Sequence, residues 1–127
     1  MTSAMDAVTT AAASVPRTYP LNSVPASPTY PYGSFSATLG RGDVYLLDDS
    51  EGVRHGRIVH QAFGRTAASA LDKSEAFRAV VVGVSLAITG YETTPVRAEL
   101  DPQVSRDPDD AGVVGVTTTY TFTATEE

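Results

Sequence analysis

The sequence predicts an α+β fold: a mostly antiparallel sheet with one main helix packed on it and a short helix at the N-terminus. Three observations predict it. From Val114 to Thr125 apolar and threonine positions alternate with a period of two, far beyond an ordinary strand of about 5–6 residues. Residues 67–82 carry apolar side chains at helical spacing between Thr66, a good N-cap, and Gly83, a C-terminal stop. Shorter alternating runs stand on both sides of that helix. At 127 residues the chain is read as a single domain, 1–127. It divides into an N-terminal helix (1–16), a Pro-rich arm (17–33) and an α+β core (34–127).

Each element has a local reason. Ser3 followed by Asp6 reads as a helix start, and Met5, Val8, Ala12 and Val15 recur at helical spacing until Pro16 ends the segment. In the arm, Pro25, Pro28 and Pro31 recur every third residue, as along one edge of a polyproline II helix, with Tyr19, Tyr30 and Tyr32 interleaved. Prolines lack the N–H a central strand needs, so the arm is either a stiff connector laid over the fold or a segment docking on a neighbouring subunit. Phe35, Ala37 and Leu39 alternate as a first strand, and Gly40-Arg41-Gly42-Asp43 reads as a turn. Val44–Leu47 reads as a second strand and Asp48–Gly52 as an acidic loop. Val53–Phe63 is the third strand.

In the main helix Ala67, Ala70, Leu71, Ser74, Phe77 and Val81 form the core-facing stripe, whose small early residues bring the helix close to the sheet. Glu75 and Arg78 can pair on the wet side. Val84, Leu86 and Ile88 predict a strand ending at Gly90, and Val96, Ala98 and Leu100 another. Asp101–Gly112 reads as an acidic loop. In the closing strand Val116, Tyr120 and Phe122 are expected to pack against Leu71, Phe77 and Val81. The opposite face is a ladder of Thr117, Thr119, Thr121 and Thr123, a candidate subunit-interface surface.

Composition narrows the chemistry. The chain has no cysteine, which excludes disulfides and zinc–thiolate sites. Met1–Pro16 contains no Lys or Arg and no continuous apolar run, so no secretory signal is expected, and nothing approaches the ~20 apolar residues of a membrane span. The expectation is a soluble protein made in a cytoplasm, with no membrane partner. Net charge is −6 with Lys73 as the one lysine, so the surface repels phosphates. Ordinary acidic solubility explains this, as does a surface that must lie near DNA without sticking to it.

His55 and His60 are five apart on one strand, which points them to opposite faces and denies them a shared metal. Each reads as a surface or interface histidine. Arg106–Gly112 departs from a calcium loop at Pro108 and Ala111, and no metal, cofactor or catalytic residue is assigned. No phosphate-binding loop, nucleophile elbow or pair of catalytic carboxylates is recognisable.

Three stretches, His55–Thr66, Thr89–Pro95 and Arg106–Gly112 running into the Thr-rich strand, resemble tail-terminator (tail-completion, neck) proteins of long-tailed siphophages infecting actinobacteria. The resemblance covers about residues 30–127 and rests on strand–helix–strand scaffolding. It implies a structural virion protein of the tail neck, assembled in the host cytoplasm, with no catalysis. It further implies a homohexameric ring that caps the tail tube, stops its polymerisation and joins it to the head connector. Implied partners are the chain itself, the major tail tube protein and a head–tail connector or stopper protein, with DNA passing the lumen without specific binding. Asp48, Asp49, Glu51, Asp107, Asp109 and Asp110 are the candidate channel or interface residues. Another neck or tube component, a stopper or tube subunit, is the neighbouring reading. A small α+β enzyme using His55 or His60 is the reading from a different class.

Overall fold

A computed structural model describes residues 2–42, 53–106 and 112–127. In chain order the elements are α1 (Ala4–Ala11), β1 (Thr18–Pro20), a 3-10 turn (Leu21–Ser23), β2 (Tyr32–Gly42) and β3 (Val53–Gly64). They continue with α2 (Ala67–Val81), β4 (Tyr91–Thr93), β5 (Arg97–Ala98), β6 (Gln103–Arg106) and β7 (Val114–Glu126). One seven-stranded sheet runs β1-β2-β3-β7, with β4, β5 and β6 lined up in succession along the far side of β7. Every pairing is antiparallel except β1 with β2. The expected α+β class and mostly antiparallel sheet are what the chain adopts.

The register explains the core. Gly33, Ala62 and Val116 share one cross-strand row, followed by Phe35–His60–Thr118, Ala37–Ile58–Tyr120 and Leu39–Gly56–Phe122. Both helices lie on this face. Phe77 and Val81 of α2 and Val8 of α1 are fully buried against Phe35, Ile58, Tyr120 and Phe122. Ala70 sits at the start of α2 over Ala62, Val114 and Val116, the close approach that small residues permit. Thr118, a polar residue of this face, hydrogen-bonds Ser74 across 3.0 Å. That contact satisfies both buried hydroxyls.

Caps set both helix starts. The Asp6 N–H donates to Ser3 Oγ at 3.1 Å and the Ser3 N–H to Asp6 Oδ2 at 3.3 Å, a reciprocal capping box. Thr66 caps α2 through the Ser69 N–H at 3.1 Å. Beyond the C-terminus of α2, Gly83 takes φ +86°, a left-handed backbone that favours glycine, and its N–H donates to the Val96 carbonyl at 2.9 Å.

Several expectations are corrected. Gly40–Gly42 continues β2 with a register shift after Leu39 and forms no turn there; Asp43, the Val44–Leu47 strand and the Asp48–Gly52 loop lie outside the described residues. Val84–Ile88 is no strand, having one bridge, Ser85 to Pro95. Its backbone is engaged elsewhere: the Val96 N–H reaches the Val84 carbonyl and Thr93 Oγ1 reaches the Leu86 carbonyl. The strand expected over Val96–Leu100 shrinks to Arg97–Ala98, and Leu100 is exposed. Within the expected 101–112 loop, Gln103–Arg106 pairs with β7 as a strand. In α2 the stripe is shifted: Ala67 is exposed, whereas the Lys73 side chain is packed down with 7% exposure. Glu75 and Arg78 form no ion pair, whereas Arg57 and Glu99 approach to 4.0 Å.

Candidate functional site

The second face of the sheet is where the fold leaves side chains for other molecules. Its rows are set by the same register, offset by one residue. They run Ser34–Gln61–Thr117–Gln103, Ser36–Val59–Thr119, Thr38–Arg57–Thr121–Arg97 and His55–Thr123. The face is rich in hydroxyls, and among the described residues no helix lies over it. Both edges of β7 are hydrogen-bonded within the chain, by β3 on one side and by β4–β6 on the other. Its threonines therefore offer side chains to a partner and no strand edge. Thr117, Thr121 and Thr123 are partly exposed on this face, whereas Thr119 is buried within it.

Near the β4–β5 end the face is indented by a cleft of about 500 Å3, lined by His55, Thr94, Arg97, Thr121 and Thr123. Thr94 is knitted to β7: its N–H donates to the Thr123 carbonyl at 2.9 Å, and its hydroxyl accepts the Thr123 N–H at 2.9 Å. Arg57 and Glu99 approach to 4.0 Å beside the cleft, and both are well exposed. A pair of that length in water contributes little to stability. At the other end Tyr32 stacks on Phe63 with centroids 5.0 Å apart, Tyr30 tilts against Tyr32, and the Arg65 guanidinium lies 4.4 Å from the Tyr30 ring centroid. The arm's rings thus pack on their own chain, and its β1 segment forms the edge of the sheet.

His55 and His60 point to opposite faces, as their spacing requires, but His60 is no surface residue. It is fully buried, stacked on Phe77 with centroids 3.9 Å apart, over Gly33, where any Cβ would come within 2.6 Å of Nε2. Neither ring nitrogen has a hydrogen-bond partner, nor does the nearby Tyr120 hydroxyl. Burial, with the Lys73 ammonium as a second cause, pushes the His60 imidazole down to about 3. Burial likewise pushes the Tyr120 phenol up, and Lys73 is held below its ordinary value by burial and by Arg17. A histidine sealed in this way reaches no substrate. The signal was in the alternation: Gly56, Ile58, His60 and Ala62 share one parity, and all but His60 are small or apolar.

Among the described residues no group of three or more His, Asp or Glu side chains is arranged to hold a metal. No helix is long and apolar enough to cross a membrane. The six acidic candidates, Asp48, Asp49, Glu51, Asp107, Asp109 and Asp110, lie outside the described residues.

No protein-family model matches the sequence, and no curated protein matches it. Solved structures share the fold. A chain from the virion of a native gene transfer agent particle is 18% identical with a TM-score of 0.62, the match covering 93% of this chain and 84% of that one. A second chain, whose name carries no functional description, is 12% identical with a TM-score of 0.64, covering 92% and 86%. At these identities the likeness establishes the fold alone.

Proposed function

We propose that this chain is a structural protein of a phage-like virion, a tail terminator that works as a homohexameric ring at the neck. The ring caps the tail tube, stops its growth and presents a docking surface to the head connector, with no catalytic step. The observation that carries this reading is the fold likeness to a gene transfer agent virion chain over nearly the whole of both chains. The open hydroxyl-rich face is compatible with it, since its threonines present side chains that a partner can meet.

At least one of the acidic stretches Asp48–Glu51 and Asp107–Asp110 lines or rims the DNA channel in this reading. Carboxylates repel phosphates over about a Debye length, ~8 Å at physiological salt, which lets DNA pass without adhering. A stopper or tube subunit would use the same fold, and the two roles separate by function: a terminator halts tube growth, whereas a tube subunit continues it. The enzyme reading is disfavoured by His60, whose nitrogens are sealed in the core.

The test is negative-stain imaging and light scattering of the purified chain, alone and with tail tubes. Six-fold rings, and tubes that stop growing once capped, are the expected result. A strict monomer at every concentration, with no attachment to tubes, overturns the reading.

A further inference from the structure

The one lysine of this acidic chain is set among cations and not against an acid. Lys73 lies one helical turn before Phe77 on α2, and Phe77 stacks on His60. The Lys73 stem is packed down at 7% exposure, while its ammonium reaches the surface. Arg17, directly before β1, comes to the same corner from the other side of His60. Its carbonyl accepts the Gly33 N–H at 2.9 Å, and Gly33 borders the His60 ring, where a Cβ would come within 2.6 Å of Nε2. Burial and then the charge of Arg17 hold Lys73 below its ordinary value. Arg65 lies over Tyr30, the residue before Pro31, and brings a third positive charge to this corner.

The chain has 15 Asp and Glu residues, yet none stands between positions 7 and 42 or between 53 and 71, the stretches that build β1, β2, β3 and the first turn of α2. The acids that α2 does carry near Lys73, Asp72 and Glu75, are exposed. Among the described residues neither Lys73 nor Arg17 has an ion-pair partner. The Arg17 guanidinium is fixed but not used up. Its Nε donates to the Pro31 carbonyl at 2.9 Å, and its backbone sits at φ +52°, a left-handed conformation that side-chain-bearing residues seldom adopt. Its two outer nitrogens and the Lys73 Nζ have no hydrogen-bond acceptor among the described residues. A guanidinium anchored through Nε keeps an outer fork that matches a carboxylate with two parallel hydrogen bonds.

We propose that Arg17 and Lys73 form a binding site for a carboxylate carried by a partner protein, an Asp or Glu side chain seated between the two cations when the chains assemble. Like charges held together without a counter-ion destabilise the free chain, and an arriving carboxylate relieves that repulsion while gaining charge-assisted hydrogen bonds. The occupant is a carboxylate and not a nucleic-acid backbone because an extended run of phosphates needs a row of cations. Here Asp72 and Glu75 stand in water on the same helix and would meet its neighbouring phosphates. A lone carboxylate reaches Arg17 and Lys73 without that repulsion. The inference rests on the reading of the chain as an assembling virion protein, but its test needs no ring.

Lys73 is the only lysine, so the full chain made with carbon-13-labelled lysine gives one side-chain NMR signal, and it reports on this site. A tetraglutamate peptide and, separately, a short DNA duplex are titrated in at neutral pH and constant ionic strength. The lysine signal is expected to move saturably with tetraglutamate. Arg17→Gln should weaken that binding roughly tenfold, the loss of one charge-assisted pair, whereas Arg57→Gln on the open face should leave it unchanged. Arg17 is exposed, so the melt of its variant should stay close to wild type. If Arg17→Gln melts early, Arg17→Lys takes its place, keeping the charge and giving up the fork, and it too should bind more weakly. A signal that does not move, or that responds alike in the Arg17 and Arg57 variants, overturns the site. Tighter binding of the DNA duplex than of tetraglutamate overturns the carboxylate assignment in favour of phosphate. A chain that binds tetraglutamate at Lys73 yet stays monomeric with tail tubes overturns the ring reading alone and leaves the site standing.

Discussion

Acid should destabilise this protein well before its carboxylates titrate, and His60 is the reason. The imidazole is neutral and buried in the folded chain, down at about 3, but returns to an ordinary 6.5 when the chain unfolds. Between those values the unfolded state binds the extra proton, so stability rises with pH. The contribution is complete above about pH 6.5 and is lost as pH falls toward 3. One proton changes stability by about 1.4 kcal/mol per pH unit, so about 2 kcal/mol is gone by pH 5 and about 4–5 kcal/mol by pH 3. Lys73 on α2, the charged group that acts on the ring, is cationic and opposes protonation further. For a domain of this size 2 kcal/mol lowers the melting midpoint by roughly 6–10 °C. The assay is thermal melting by circular dichroism from pH 7.5 to 5, a window above the ordinary carboxylate range. Wild type is compared with His60→Leu and His60→Phe, and His55→Gln serves as control. Wild type and His55→Gln should lose stability across the window, and the two His60 variants should lose far less. A flat wild-type profile, or an equal loss in all four proteins, refutes the reasoning.

Phe122→Ala should cost roughly 3–5 kcal/mol, because the ring is 2% exposed and lies directly over Gly56. Gly56→Ala should disturb the same contact from the other side, since its Cβ would come within 2.2 Å of the ring; unchanged melting of either variant would place the ring elsewhere. Replacing Asp107, Asp109 and Asp110 together with Asn should leave ring assembly intact while slowing DNA passage through assembled particles. Wild-type ejection kinetics would count against a lumen role for that stretch.

What could be read in advance followed from local chemistry. The strand ending at Phe63, the Thr66 cap, the α2 helix and the two-faced β7 were legible because each is fixed by nearby residues: a period, a cap, a glycine at positive φ. What escaped depends on partners distant in sequence. β6 is four exposed residues with no alternation to reveal it, held only by β7. The 84–88 segment has the alternation of a strand and buries Leu86 and Ile88 as a strand would, yet its backbone pairs with turns and with the far end of α2. By residue type His60 reads as a surface histidine, whereas its parity with Ile58 and Ala62 places it in the core. The open face was foreshadowed by the threonine ladder.

The division of surfaces bears on how such a ring could work. A sheet has two edges and two faces, and here the helices occupy one face. If the edges join neighbours head to tail, the ring is built in the plane of the strands' succession, and the open face with Thr117, Thr121, Thr123, Arg57 and Arg97 is left free. That face is nearly balanced in charge, with Arg57 and Arg97 beside Glu92 and Glu99, on a chain whose net charge is −6. Balanced, hydroxyl-rich surfaces meet an acidic partner without the repulsion that the rest of the chain would present. The face suits a different protein stacked above or below it. A terminator needs contacts with copies of itself and with a different protein at once, and a sheet with one free face and two edges offers separate surfaces for them.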